Sequence, residues 1–218
     1  MIREKKTCSK SRFRTAFILP LLLFLSFTTP LQSQTEGVIV AFGDSLTAGL
    51  GVAADKAYPA QLAKKLNTNG YPYKVVNAGV SGETTAGGLR RIHWILKSQP
   101  DIVILALGAN DGLRGLSLLE MEKNLSKIIQ ALQKEKIRIV LAGMKIPPNY
   151  GRRYTNGFEA IYSKLAERFD LTLIPFLLDG VAAIPTLNQA DGIHPNARGY
   201  GIIVDRIWPT IKKVLTAE

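Results

Sequence analysis

The sequence predicts an α/β protein in which a parallel sheet carries helices on both faces. Three observations carry this. Short apolar runs alternate with amphipathic stretches along most of the chain, the pattern of repeated strand–helix–strand crossovers. The runs at 38–42 and 102–107 are rich in valine, isoleucine and leucine and lack polar alternation, as strands buried on both faces require. Several runs end in small, polar, glycine-containing turns, and open α/β sheets place their ligands at that carboxyl edge. With 218 residues, 46% of them hydrophobic, the chain has material for one domain with a real core and hardly for two.

The first strand, at 38–42, runs into Gly43-Asp44-Ser45-Leu46. Leu62, Ala63 and Leu66 then sit at helical spacing within 58–69, and Gly70 stops that helix. A short extended piece at 74–77 leads to the glycine-bearing loop 78–84. Residues 86–97 read as one helix with Leu89, Ile92 and Leu96 on one side, and Pro100 follows it. The run 102–107 is assigned the central strand and ends in Gly108-Ala109-Asn110-Asp111. A long amphipathic helix at 118–134 and a strand at 138–142 come next, then a loop opened by Pro147 and Pro148. Ile161, Leu165 and Phe169 mark a helix over 158–169, and 171–174 gives the fifth strand. From 175 to 195 the pattern dissolves into a loop with at most one short helical turn. The last helix begins at Asn196 or Ala197 and ends near Leu215, with Pro209 expected to kink it.

The first 33 residues read as a leader. Arg3, Lys5, Lys6, Lys10, Arg12 and Arg14 stand against Glu4 alone, and an uncharged apolar run follows over 16–27. That is the profile of a secretory signal, too short and too broken by Pro20 to span a bilayer comfortably. The expectation is an exported protein, periplasmic or secreted, with a signal peptide over about 1–33 and one domain over 34–218. Nearly half of the formal charge of +11 belongs to this leader. The remaining cations are scattered among helical segments, which argues against nucleic acid as a partner. Cys8 is the only cysteine and precedes the apolar run, so the exported part has neither a disulfide nor a thiol nucleophile.

Chemistry is expected at four places. Ser45 stands at a strand end, where it is either a presented nucleophile or a helix N-cap. The sequence has two histidines. His93 lies in a helix beside Trp94 and reads as a surface or packing residue. His194 lies in Asp191-Gly192-Ile193-His194, where a carboxylate three residues earlier can fix the imidazole tautomer and leave the other nitrogen free to act as a base. Gly82 and Asn110 follow strands at the same sheet edge and could donate to an oxyanion, though each is also an ordinary turn residue. One histidine with scattered carboxylates lacks zinc-ligand spacing. A flavin or nucleotide site is disfavoured, because residues 43–49 have no P-loop lysine and Asp44 would repel phosphate.

Taken in order, Gly43-Asp44-Ser45-Leu46, Gly82 in Ser81-Gly82-Glu83-Thr84, Gly108-Ala109-Asn110-Asp111 and Asp191-Gly192-Ile193-His194 resemble the four blocks of the SGNH/GDSL hydrolases. The likeness runs from Val38 to the last helix. It is nearest the secreted bacterial branch with thioesterase, lysophospholipase and arylesterase activities, through residues 110–115 and 148–154. The resemblance implies a flavodoxin-like, three-layer α/β/α fold with five parallel strands. It also implies Ser45 as nucleophile, His194 as base, Asp191 orienting it, and an oxyanion hole from Ser45, Gly82 and Asn110. No cofactor or metal is needed for that chemistry. The substrates implied are small acyl esters, thioesters or lysophospholipids; the alternatives are a carbohydrate acetylesterase of the same family or a silent lipid- or glycan-binding module.

Overall fold

The computed structural model describes residues 37–216 together with 1, 2 and 4, so the expected leader lies, but for those three residues, outside the described residues. The chain divides into units Met1–Ser33 and Gln34–Glu218, and the fold is that of the second. Five strands, β1 (Gly37–Gly43), β2 (Tyr73–Gly79), β3 (Ile102–Ala106), β4 (Arg138–Ala142) and β5 (Thr172–Ile174), form one sheet in the order β2-β1-β3-β4-β5. Every pairing is parallel. Strand β3 is buried at all five positions and lies at the centre, as its unbroken apolar run requires.

Three longer helices expose one face and bury the other at helical spacing. In α2 (Tyr58–Thr68) the buried stripe is Leu62 and Leu66. In α6 (Leu118–Lys134) it is Met121, Leu125, Ile128, Ile129 and Leu132, and in α7 (Arg152–Phe169) it includes Phe158, Ile161 and Leu165. Helix α8 (Ala197–Thr216) packs against α2 on one side of the sheet, and α6 lies between α7 and α3 (Thr85–Arg90) on the other. Helix α8 continues through Pro209, which lies inside it.

The differences from expectation have local causes. The helix expected over 86–97 is two, α3 and α4 (Ile92–Lys97), separated at Arg91, whose guanidinium is engaged with the ends of β1 and β2. Helix α7 starts six residues before the expected 158, because Gly151 turns the chain at φ +83° and the first turns carry no apolar stripe. Two short helices lie where loops were expected: α1 (Ser45–Ala48) and α5 (Ala109–Leu113). Each is too short to display a period.

The sheet order reverses between β1 and β3, which lie side by side while their following connections leave in opposite directions. Such a switch point opens a crevice above the carboxyl ends of the strands. Gly43 is in register with both Gly79 and Ala106, so β1, β2 and β3 end at one level there. Glycine is required at two of these ends: a Cβ on Gly79 would collide with the backbone nitrogen of Ala48, and one on Gly43 with the Thr47 hydroxyl. Without them α1 could not fold back over the strand ends.

Candidate active site

Ser45 is the first residue of α1, and Asp44 is its N-cap. The Asp44 carboxylate accepts the Leu46 N–H at 3.0 Å, so the capping role open to Ser45 falls to its neighbour. The serine hydroxyl is thereby left for another partner. Its Oγ lies 2.9 Å from Nε2 of His194, a residue 149 positions away in the chain. On the other side of the ring, Nδ1 of His194 lies 2.7 Å from Oδ2 of Asp191. The imidazole is 16% exposed and the Asp191 side chain 46%.

The loop carrying these two residues is held firmly for so irregular a segment. The Gln189 N–H donates to the His194 carbonyl at 2.8 Å, and its side-chain amide donates to the carbonyls of Leu50 and Pro195. Asn188 and Pro195 form an antiparallel bridge. Within the turn, Oδ1 of Asp191 accepts the N–H groups of Ile193 at 2.9 Å and His194 at 3.0 Å. Those backbone donors, the first being that of His194, together with the imidazole hold the Asp191 carboxyl well down, at about 2. Asp191 is therefore ionised throughout the neutral range.

Gly82 sits at φ +76°, a conformation that favours glycine. Among the described residues, no acceptor takes a hydrogen bond from the N–H of Ser45 or from that of Gly82. Asn110 lies at the start of α5, and its Nδ2 donates to the Glu83 carbonyl at 3.1 Å and more weakly to Oδ2 of Asp44 at 3.3 Å. The amide thus bridges the loops after β1 and β2 from its place after β3. His93 is exposed and stacks beside Trp94, with ring centroids 5.0 Å apart, away from these groups.

Sequence reasoning missed the residues that brace this arrangement. Arg91 donates through Nε to both carboxylate oxygens of Glu83 at 2.8 and 2.9 Å, and through Nη2 to Glu83 and to the carbonyls of Ala78 and Gly43. Asp111 is buried and accepts the Thr85 N–H at 2.8 Å and its hydroxyl at 2.6 Å. Burial pushes the Asp44 carboxyl up to about 6 against the opposing pull of the Leu46 N–H. The only sequence signal for these braces was unspent charge and hydroxyl chemistry close to the four blocks.

A cavity of about 670 Å³ opens beside the Ser45 hydroxyl. Its walls are mostly apolar, with Leu50, Leu113, Ile146, Phe176, Leu178 and Ile193 among them. Polar groups converge at one end, where Ser45, Gly82, Asn110 and His194 meet.

A doubly wound sheet with a serine, a histidine and a carboxylate in line at its switch point has the architecture of the α/β serine hydrolases. The chain belongs to the GDSL-like lipase/acylhydrolase family, whose model matches residues 41–202. It is 38% identical to esterase TesA of Pseudomonas aeruginosa over 185 residues, 84% of this chain and 92% of that one. It is also 39% identical to an arylesterase of Vibrio mimicus over 199 residues, 91% of this chain and 98% of the other. Among solved structures it resembles AlinE4, a SGNH-hydrolase family esterase, with 47% identity and a TM-score of 0.70 over 84% of this chain and 99% of that one.

Proposed function

We propose that the protein hydrolyses carboxylic esters, and thioesters of similar shape, through an acyl-serine intermediate at Ser45. The observation that carries this reading is the unbroken line from Ser45 Oγ through the His194 ring to Asp191, set at the mouth of an apolar cavity. His194 Nε2 takes the hydroxyl proton as Oγ bonds to the substrate carbonyl carbon. Asp191, held ionised, keeps the ring in the tautomer with hydrogen on Nδ1 and stabilises the imidazolium. The carbonyl oxygen becomes an oxyanion and accepts from the free N–H groups of Ser45 and Gly82 and from Nδ2 of Asn110. Collapse returns the proton from His194 to the departing alcohol or thiol. Water then enters, loses a proton to the same nitrogen as its oxygen bonds to the acyl carbon, and the second collapse breaks the bond to Oγ, returns the proton to it and releases the acid.

The cavity favours acyl chains longer than acetyl, because an apolar volume of about 670 Å³ gains little from a single methyl group. The basic leader supports export, with residues 1–33 acting as a signal peptide and the domain beginning near Gln34.

The test is a profile of p-nitrophenyl esters from acetate to palmitate, with a lysophospholipid and an acyl-CoA alongside. The expected result is a rise in kcat/KM from acetate to the longer chains and about a millionfold loss of kcat in Ser45→Ala. Turnover of acetate alone would support the small-acyl reading instead. Retention of more than about a hundredth of wild-type activity in Ser45→Ala would remove the serine from its assigned role.

A further inference from the structure

Between residues 37 and 216 seven large apolar side chains are exposed, and six of them stand at one edge of the molecule. Leu50 follows α1, Val80 follows β2, Leu116 follows α5, Leu119 is in the first turn of α6, and Ile184 and Ile193 lie in the loop after β5. All six are at the carboxyl edge of the sheet, the edge that carries the cavity; Trp94 on α4 is the seventh. A single exposed leucine means nothing, but a concentration of them around one opening does.

Hydrogen bonds between the loops draw four of the six together in pairs, Leu50 with Ile193 and Val80 with Leu116, on the two sides of the opening. Gln189 ties the Leu50 carbonyl to the turn bearing Ile193, and both residues line the cavity. Across the opening, Arg114 donates to the Gly82 carbonyl at 2.9 Å, joining the Val80 loop to the Leu116 loop. Tyr150 and Tyr154 donate to the carbonyls of Leu113 and Leu116 at 2.6 and 2.7 Å, which brings the Arg152–Arg153 turn against the loop that bears Leu116 and beside Leu118 at the start of α6. Arg114, Arg152 and Arg153 are exposed, and no carboxylate of the described residues pairs with them. Of the exposed carboxylates of the same edge, Asp55 pairs with Lys56, Glu120 with Lys123, Glu159 with Lys145 and Asp179 with Arg206, while Asp191 is hydrogen-bonded to His194 and keeps its single charge as long as that ring is neutral.

We propose that this rim is a docking surface for an anionic phospholipid bilayer, on which the protein settles with the cavity mouth facing the lipid. Apolar side chains enter the boundary between headgroups and acyl chains while the three arginines meet lipid phosphates, the division of labour of interfacial binding elements. Each arginine near such a surface favours the bound state about fivefold, and salt weakens the effect. An acyl ester then passes from the lipid into the cavity without its chain crossing water. Only this last consequence rests on the ester-hydrolase reading, since docking itself needs no catalysis.

The test is hydrogen exchange on the full chain, which reports the rim separately from the leader. Vesicles of equal parts phosphatidylcholine and phosphatidylglycerol are compared with phosphatidylcholine alone. Protection of segments 113–119 and 189–194 is expected with the anionic vesicles, several-fold greater than with the neutral ones and reduced by salt. The double variant Leu116→Ser/Leu119→Ser should lose most of it, and so should Arg152→Glu/Arg153→Glu, while Trp94→Ser keeps it. Both double variants should hydrolyse a short soluble ester at the wild-type rate, which also shows that they are folded. Rim segments unprotected by either vesicle, or protected equally in the double variants, overturn the proposal. So does protection of the same segments without vesicles through self-association. Failure of the wild type to hydrolyse the soluble ester counts against the enzymatic reading alone.

Discussion

Two residues beside Ser45 give the sharpest tests. Asn110 donates to the Glu83 carbonyl and Asp44, so aspartate at 110 would face two acceptors; alanine is the cleaner probe. With the amide gone, kcat should fall about 10² to 10³-fold while KM changes only severalfold, because the donor matters chiefly in the transition state. Steady-state kinetics on one soluble ester measures both, and a near-normal kcat would restrict Asn110 to bracing the loops. Asp44 is read through pH. Its folded pKa of about 6 lies above the unfolded carboxylate value, so between the two the folded state holds a proton that the unfolded state has lost. Stability therefore falls as pH rises through that window, by about 3 kcal/mol from about pH 4 to 6, and is flat above it. Thermal midpoints across that range should show this slope in the wild type and its loss in Asp44→Asn. That Ser45, His194 and Asp191 would be brought together was legible in the sequence because each stood in a short distinctive turn. Asp44 was read only as a repeller of phosphate, since its burial and its cap are made by residues the sequence does not place beside it.

At the scale of elements, the site depends on how three loops are fastened to one another. The Arg91–Glu83 pair is mostly buried, with side chains 20% and 8% exposed, and its guanidinium also holds the ends of β1 and β2. Removing one partner leaves the other charge uncompensated, so Arg91→Met or Glu83→Met should each cost roughly 3–5 kcal/mol. The double variant should cost clearly less than the two together, because no charge is then left buried and unpaired. Urea titration of the four proteins closes the cycle, and strictly additive losses would mean that the pair is not coupled. The same pair explains why one helix expected over 86–97 is two: periodicity registers which face is apolar and is blind to a side chain that turns inward to bind carbonyls. Helices α2, α6 and α8 were legible almost to the residue, since their buried stripes are long enough to repeat. Helices α1 and α5 were not, and these two carry Ser45 and Asn110.

For the whole molecule, alternation of strands and helices was enough to predict a parallel sheet covered on both faces, and the apolar run at 102–107 its central strand, while the order of the other strands was not predicted. Which strands become neighbours is decided by packing between elements far apart in the chain, and no local pattern records it. The proposal that residues 1–33 are an export signal is checked by N-terminal sequencing of the protein from cell envelope or medium. A start near Gln34 is expected, and an intact Met1 on a cytoplasmic protein would refute it. No helix among the described residues is long and apolar enough to cross a membrane. The separation of 149 residues between Ser45 and His194 has a consequence in time as well as in space. A ribosome or a translocation channel delivers the hydroxyl early and the imidazole near the end, after all five strands have appeared. A partly delivered chain thus carries the Ser45 hydroxyl without its partner nitrogen, and the complete constellation exists only in a molecule that has finished folding.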